Sequence, residues 1–522
     1  ANQLNSFNIY AGNPDLLNTD IDRYLAVQPE DVQRVANQYL SHHARVKFSV
    51  VPANEPSSVP KATPRVDRTV RPAADAPRQF IPPMLQSKKL PSGLEVIVAE
   101  KRGVPAVSFA VLVATGGSSD PSELPGIANI TADMLQEGTV SRSSNQISEE
   151  FEFIGTRLAI HAGREQTALA VSTLTREWPK ALDLVGDLLM DPVFPDEELT
   201  RVRNETMNGL RRLQDDATSI ANREFAILLH GVDSAYGHPI YGTLKSVGDI
   251  SRDDLLAHFQ NNFNPAHTTL AVTGDVSLDE AVQIAERTFG SWDGTPQTVP
   301  TSQDTHQKAP SIARDKTTIY LLDKPGSVQS VIRVGTLGLP RDDPNYFALM
   351  VFDHLFGGQF TARLNMNLRQ DKGYSYGYRS WIEWHKNSSA IMFGGSVQSE
   401  VTTPAVVETL KEVTDVISTR LIKEDEFQAA KDALLQSYPL SFETPWQVLS
   451  HLGPIVQFEL PHDYLATYPA NISNVKLEDV QRVANQRLDK NRLVVLVVGD
   501  RTTVEAELKG IGPDVVVITG IE

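Results

Sequence analysis

Few side chains in this chain have both the type and the spacing that catalysis requires. The sequence contains no cysteine, which excludes disulfides, thiolate metal sites and cysteine nucleophiles. Neither H-x-x-E-H nor H-E-x-x-H occurs, so the paired histidines that hold zinc on one helix face are absent. Asn129 and Asp133 share the i, i+4 spacing, but two oxygen ligands without a third protein ligand make a poor zinc site.

A second pair, Arg369 and Tyr376, lies seven residues apart on either side of a K-G turn. A guanidinium and a phenol hydroxyl can both donate hydrogen bonds to an oxygen that gains negative charge in a reaction. Each residue alone also has a structural explanation, Arg369 as a surface ion-pairing residue and Tyr376 as a half-buried strand aromatic. The preceding Gly357 and Gly358 permit either a plain turn or a close approach of backbone to a ligand.

The composition is ordinary for a globular chain, with 41% apolar and 22% charged residues. A length of 522 residues predicts two to four domains. No apolar run approaches the roughly 18 residues of a membrane-spanning helix. The net charge of −17 argues against nucleic acid and acidic membranes as partners, because both are negatively charged. It would suit a chamber that attracts basic or neutral peptides.

A repeated segment indicates how the chain is organised. Residues 30–38 (EDVQRVANQ) reappear letter for letter as residues 478–486, 448 positions later, and both copies lead into a β-rich stretch. A looser third copy lies almost midway, where a Gly-Asp pair at 274–275 precedes the one at 499–500 by 225 positions. This spacing predicts duplicated domains of about 224 residues, within the usual size of one domain.

The repeat divides the chain into four segments. Residues 84–300 and 301–522 are predicted to be two homologous domains, and 53–83, in a stretch rich in proline, a semi-extended linker. Residues 1–52 offer a helix or two and one strand, over 46–51, which is too little to bury a core. We expect them to be the C-terminal remnant of a preceding domain and to complete a domain of another chain or of the same precursor. The alternative is a helix pair that packs on its own chain.

The order of predicted elements repeats in the two domains. The first has strands over 94–98 and 107–113, a helix over 126–136, a hairpin of 157–161 with 167–173, and helices over 178–190 and 196–214. The second has strands over 318–322, 328–337 and 391–396, and helices over 345–356, 404–419 and 424–435. Antiparallel strand pairs followed by helix pairs predict an α+β fold, with tandem homologous α/β sandwiches built on antiparallel sheets.

Several motifs resemble those of the insulinase/pitrilysin peptidases, also called inverzincins. Residues 124–139 (LPGIANITADMLQEGT) are similar to the family pattern G-x-A-H-x-x-E-H-M-x-x-x-G-T. Residues 356–358 (FGG) and 368–376 (LRQDKGYSY) are similar to the second-domain signature, which ends L-R-E-x-x-G-x-x-Y. The resemblance runs in the expected order through essentially the whole chain from Leu90, and it implies one half of a clamshell-shaped metallopeptidase.

In active relatives, the resemblance implies two zinc-binding histidines at i and i+4, an intervening glutamate that activates water, and a glutamate on a later helix as third ligand. The histidine positions are Asn129 and Asp133 in this chain, the base position is Ala132 and the third-ligand position is Gly209. All four are changed. This chain is therefore expected to bind no catalytic zinc, and zinc is expected in a partner half.

The resemblance implies that the opposite side of the site is retained. Arg369 and Tyr376 occupy the positions of an Arg/Tyr pair that binds the peptide carbonyl and stabilises its oxyanion across a closed chamber. Gly357 and Gly358 are expected to contact substrate through close backbone approach. The strand over 157–161 corresponds to an edge that takes up substrate by β-addition. Here it is expected mainly to pack, with a secondary grip on a long substrate as the alternative.

These features predict the non-zinc half of a zinc metallo-endopeptidase, inactive alone, which closes on a zinc-bearing half and acts on peptides. Two other classes stay open, an inert scaffold subunit and a peptide-binding module of the same fold. Retention of Arg369 and Tyr376 argues against a pure scaffold. The cysteine-free chain and the family together suggest a bacterial periplasmic or secreted setting.

Overall fold

The computed structural model describes residues 2–40, 80–292, 316–512 and 514–518. The chain divides into two compact units, Ala1–Ala73 and Ala74–Glu522. Most of the predicted linker, and the strand predicted over 46–51, lie outside the described residues.

The described part of the first unit contains three helices, α1 (Asn2–Tyr10), α2 (Leu16–Leu25) and α3 (Pro29–Tyr39). The first copy of the nine-residue repeat forms α3. This helix starts with a proline, which is tolerated there because a backbone N–H in the first turn has no acceptor within the helix. The Asp31 carboxylate accepts a hydrogen bond from the Gln28 backbone N–H at 3.3 Å. No residue of α2 or α3 is buried.

The second unit is built on two six-stranded sheets. The first sheet contains β1 (Leu85–Lys89), β2 (Glu95–Glu100), β3 (Ala106–Val113), β4 (Leu158–Ala162), β5 (Thr167–Leu174) and β6 (Thr268–Gly274), in the spatial order β1-β2-β6-β3-β5-β4. The second contains β7 (Thr318–Asp323), β8 (Gln329–Leu337), β9 (Ser375–Trp384), β10 (Ser389–Gln398), β11 (Val494–Gly499) and β12 (Asp514–Ile518), in the order β12-β7-β11-β8-β10-β9.

Helices cover both sheets. Those of the first domain are α4 (Ile127–Met134), α5 (Ser144–Phe153), α6 (Trp178–Met190), α7 (Asp196–Leu213), α8 (Ala217–His230), α9 (Leu244–Asp249), α10 (Arg252–Asn262) and α11 (Leu278–Phe289). Those of the second are α12 (Tyr346–Asp353), α13 (Thr402–Val416), α14 (Glu424–Ser437), α15 (Pro445–Gln457), α16 (Tyr464–Asn474), α17 (Leu477–Arg487) and α18 (Arg501–Leu508). In the part of the chain that the structure describes, no helix is long and apolar enough to cross a membrane.

The two sheets confirm the predicted α+β duplication and correct its strand pairing. The antiparallel pair predicted between 94–98 and 107–113 is wrong, because β6 lies between β2 and β3, parallel to the first and antiparallel to the second. In the same way β11 lies between β7 and β8. Each sheet is therefore mixed, since a late strand returns through helices to the centre of the sheet, where all its residues are buried.

Each sheet has one face covered by helices of its own domain and one face covered by a helix of the other domain. Ile220, Phe225 and Leu229 of α8, in the first domain, pack on the second sheet against residues such as Leu496. Conversely, α15 of the second domain packs on the first sheet, where its apolar side chains cover small residues of β3 and β6. The two sandwiches thus exchange covering helices.

A buried histidine in α10 shows how this core responds to acid. His258 is 6% exposed, and its Nε2 has no hydrogen-bond partner in the described structure. Burial lowers its pKa to about 4, because an apolar surrounding disfavours the charged imidazolium. The native chain therefore holds this histidine neutral at pH values where an unfolded chain would protonate it.

His258 is expected to make the chain less stable as the pH falls from about 6.5 towards 4. The unfolded state binds the proton first, so the free energy of unfolding decreases across that range, by about 3 kcal/mol for a shift of this size. His258→Leu should remove this part of the decrease in the free energy of unfolding, as measured by urea unfolding at pH 7 and pH 4. The exposed His267 of the same domain provides the control, and an unchanged pH dependence in His258→Leu would contradict the assignment.

Candidate functional site

The segment that carries Arg369 and Tyr376 links a wide helical turn to an edge strand. Arg369 lies in the π-helical turn Met366–Asp371, which the Tyr374 N–H closes by donating to the Leu368 carbonyl at 2.9 Å. The intervening Gly373 has a φ of +66°, a backbone conformation that glycine adopts without strain. The chain then enters β9, the edge strand of the second sheet.

Tyr376 sits on a bulge at the start of β9. Ser375 is opposite Val397 and Tyr378 is opposite Gly395, so the register shifts between these pairs. The Ser375 hydroxyl holds the bulge by accepting from the Gly377 N–H at 3.1 Å and by contacting the Ser396 carbonyl at 2.8 Å. Bulges of this kind redirect a side chain. The Tyr376 side chain points outward accordingly, with 89% of its surface exposed.

Arg369 is half-buried and is held by an aromatic ring. Its guanidinium carbon lies 4.4 Å from the centroid of the Phe360 ring, a cation–π distance. Among the described residues, no hydrogen bond or ion pair engages the Arg369 guanidinium or the Tyr376 hydroxyl. The donors of both groups are therefore available to a ligand, unlike those of an ion-paired surface arginine or a buried tyrosine.

Gly357 and Gly358 lie in the π-helical turn His354–Gly358 that follows α12. A Cβ on the buried Gly357 would come within 2.3 Å of the Ser380 backbone nitrogen in β9, so this glycine permits close packing of turn and strand. Gly358 is exposed and is the member of the pair that a ligand can reach. The next turn brings Phe360 to Arg369, so the four predicted residues belong to one corner of the second domain.

The sequence also contains a match to the serine-hydrolase pattern G-x-S-x-G, at residues 373–377 (GYSYG). In serine hydrolases the serine lies on a strand-to-helix turn, exposed to a base. Ser375 instead begins a strand, and within the described part of the chain its hydroxyl bonds only to backbone groups, those of Gly377 and Ser396. The pattern has a structural role here.

The degenerate motif lies on α4, where the residues do not fit zinc. The Asn129 side-chain amide donates to the Ile240 carbonyl at 2.7 Å, Ala132 is buried, and Gly209 on α7 has no side chain to offer. Among the residues that the structure describes, no group of three or more histidine, aspartate and glutamate side chains could hold a metal ion.

Asp133 is the one remaining potential ligand. Its side chain keeps contact with solvent but is crowded by neighbouring atoms, and this desolvation, together with the like charges of Glu137 and Glu205, raises its pKa to about 6. Arg201 forms ion pairs with both of those glutamates. A carboxyl group that is easily protonated, beside carboxylates already paired with arginine, is a weak cation ligand.

The strand predicted over 157–161 is β4, the edge strand of the first sheet. It pairs with β5, and the described structure places no strand on its other side. A surface depression of about 740 Å³ beside it is lined by Arg157, Ala159 and Trp446. The edge is thus open to β-addition, but it belongs to the domain without the metal ligands.

Comparisons with known proteins agree with this architecture. A family model described as insulinase (peptidase family M16) matches residues 95–225, and one described as the peptidase M16 inactive domain matches residues 249–434. An uncharacterized zinc protease of Bacillus subtilis, YmxG, is 23% identical over 415 residues, which are 79% of this chain and 98% of that protein. An uncharacterized zinc protease of Rickettsia felis is 23% identical over 405 residues, 76% of this chain and 93% of that protein.

Solved structures share the fold. The peptidase M16 inactive domain from Pseudomonas fluorescens superposes with a TM-score of 0.73 at 23% identity, covering 80% of this chain and 98% of that one. A protease from Helicobacter pylori gives a TM-score of 0.74 at 16% identity, covering 80% of this chain and 100% of that one. Together the two family models match more than half of the chain, in parts of both sandwiches. The chain belongs to the insulinase family of peptidases, family M16.

Proposed function

We propose that this chain is the non-zinc half of a zinc metallo-endopeptidase and supplies Arg369 and Tyr376 to a peptide bound by a zinc-bearing half. The observation that carries the proposal is that neither donor has a hydrogen-bond or ion-pair partner among the described residues, with Tyr376 exposed and Arg369 half-buried beside an edge strand. They lie in a family member whose own metal positions have lost their ligands. A chain that kept the donors only for its own packing would have paired or buried them.

In this proposal, the two side chains act on the carbonyl oxygen of the bond to be cleaved. The Tyr376 hydroxyl and the Arg369 guanidinium donate hydrogen bonds to that oxygen, and these bonds strengthen as it becomes an oxyanion. Phe360 restricts the guanidinium before substrate arrives, which lowers the entropy lost on binding. Zinc, held by the partner half, would supply the polarisation of the carbonyl and an activated water.

The N-terminal helices support the presence of a homologous partner. The repeat gives α3 and α17 the same nine residues, but Val480 and Val483 in α17 are 0% and 1% exposed, whereas the equivalent Val32 and Val35 in α3 are 60% and 43% exposed. In α17 these valines join the core beneath the second sheet. We infer that α3 packs in the same way on a domain of the zinc-bearing half, and that residues 1–52 complete that domain.

The assembly can be tested by reconstitution. The chain would be purified alone and together with a candidate zinc-bearing half from the same genome that contains H-x-x-E-H, and zinc content and cleavage of unfolded peptides would be measured. We expect neither zinc nor cleavage for the chain alone, zinc in the other half, and cleavage only by the mixture. Stoichiometric zinc in this chain alone, or a mixture that binds but cleaves nothing, would refute the proposal.

One observation favours a second candidate, a peptide-binding module that does not cleave. The edge strand β4 has no strand on its other side in the described structure and belongs to the domain that lacks the metal ligands, so a peptide held there by β-addition would not be cleaved. This candidate predicts peptide affinity for the mixture without turnover. Measuring binding and cleavage on the same samples separates the two candidates.

A further inference from the structure

A cavity of about 600 Å³ lies between the two sandwiches, within the range of small-ligand sites. One wall is formed by α7, α8 and the loop over 237–242 of the first domain. The other wall is the face of the second sheet that α8 partly covers. Leu213 and Tyr241 at the cavity are 42% and 47% exposed, so solutes can reach it.

The sheet wall combines one cation with apolar side chains. Arg333 in β8 is opposite Gly394, and Trp381 in β9 is opposite Met392, two residues before that glycine. Because residues two apart in a strand point to the same face, Arg333, Met392 and Trp381 share the face that lines the cavity. The Arg333 guanidinium carbon lies 5.1 Å from the Trp381 ring centroid.

Arg333 is a buried cation without a carboxylate partner among the described residues. It is 6% exposed, its Nε donates to the Asn222 side-chain oxygen at 2.9 Å, and its Nη1 donates to the Ile332 carbonyl at 3.0 Å. Burial lowers the pKa of its guanidinium. A buried charge held only by neutral acceptors is costly.

The other charges at the cavity do not balance Arg333. Arg164 also lines it and lies 3.6 Å from Glu383, the one carboxylate in the lining, whose side chain is 44% exposed. Arg223 lines it too and is paired with Glu224 at 2.7 Å. A net positive cavity in a chain of charge −17 therefore remains open to an anion.

We propose that this cavity binds a ligand in which a carboxylate is joined to an apolar group, specifically the C-terminal end of a peptide whose last side chain is apolar. The carboxylate pairs with Arg333, which offers a planar donor fork. The apolar group packs among Leu210, Leu213 and Met392. That the ligand is a peptide end rather than a free carboxylic acid rests on the proposed peptidase function. The carboxylate site itself rests only on Arg333 and the cavity around it.

Binding to the full chain alone, without the zinc-bearing half, tests the site by calorimetry. The probes are acetyl-Leu-Leu with a free carboxylate, the same peptide as its amide, 4-methylpentanoate and inorganic phosphate. We expect the acid peptide to bind about 10- to 100-fold more tightly than the amide, the range for a hydrogen bond to a charged group. If 4-methylpentanoate binds as tightly as the acid peptide, the ligand of the site is a free carboxylic acid rather than a peptide end. If the acid peptide and its amide bind equally tightly, the carboxylate site is refuted.

Two variants locate the site on the protein. Arg333→Gln should weaken binding of the acid peptide about 10- to 100-fold, while Arg492→Gln, at an exposed arginine outside the lining, should not change it. Because Arg333→Gln changes a buried residue, Leu213→Trp, at an exposed position, provides a second variant that fills the cavity and should abolish binding. Unchanged binding in both folded variants would overturn the proposal, and either result is independent of whether the assembled enzyme cleaves peptides.

Discussion

Replacing Tyr376 with phenylalanine is expected to slow peptide cleavage by the assembled enzyme about 10²- to 10³-fold, the usual cost of removing one oxyanion donor. The change removes only a hydroxyl that has no partner among the described residues and lies on a side chain that is 89% exposed. The stability of the chain should therefore stay within about 0.5 kcal/mol. Because the hydrogen bond strengthens in the transition state, the loss should fall mainly on kcat rather than on KM.

Tyr374→Phe is the matched control for this prediction. It makes the same chemical change two residues earlier, at a half-buried tyrosine that packs against the core of the second domain, and it should leave kcat near the wild-type value. Arg369→Ala should lower kcat by a comparable factor, and its effect should be less than additive with that of Tyr376→Phe, because both groups act on one oxygen. A Tyr376→Phe enzyme with wild-type kcat would show that the hydroxyl does not contact the reacting carbonyl.

The repeat makes possible a second prediction, in which the same substitutions in the two copies of one helix affect different properties, association in one copy and stability in the other. Val32→Ala with Val35→Ala should leave the unfolding of the isolated chain unchanged but weaken its association with the zinc-bearing half about 10²-fold. Each truncation removes about two methylene equivalents, worth roughly 0.8 kcal/mol apiece, from an interface. Association would be measured by analytical ultracentrifugation over a dilution series.

Val480→Ala with Val483→Ala forms the matched pair in α17. Here the same truncations open space in a core where both valines are at most 1% exposed, and they should lower the free energy of unfolding by about 4 kcal/mol. The prediction is contradicted if the Val32/Val35 variant associates like wild type. It is also contradicted if that variant, as an isolated chain, has a lower free energy of unfolding, which would mean that α3 packs on its own polypeptide.

Local pattern predicted most individual elements but not their neighbours in the sheets. The helices over Trp178–Met190 and Asp196–Leu213 were predicted within a residue or so, because their apolar periodicity and breakers are local. The insertion of β6 between β2 and β3 was missed, since two apolar strands joined by a short turn ordinarily pair with each other. Strand β9 was also missed as an element, because Gly373 and Gly377 on either side of its start are typical of a turn.

For the candidate site, too, the sequence predicted the local segment but not the residues from other segments that surround it. The resemblance of residues 368–376 to the family's second-domain signature indicated the pair of Arg369 and Tyr376. The turn, the bulge and the aromatic contact that present the pair depend on Phe360 and Ser396, which come from other segments. Their catalytic role stays a prediction. The cavity around Arg333 had no sequence signal, because a lone arginine in a strand reads as a surface residue and its neighbours Asn222 and Trp381 come from distant parts of the chain.

The exchange of covering helices also has a consequence for biosynthesis. The first sheet carries Ala99, Ala110 and Leu112 on the face that α15 covers, and α15 ends at Gln457. A ribosome must have translated past Gln457 before that face can be shielded. The nascent first domain therefore presents an apolar surface until α15 has been made. Chaperones bind such a state, and it aggregates when they are scarce. Overproduction should be limited by this delay, and co-translational chaperones should raise the yield of folded chain.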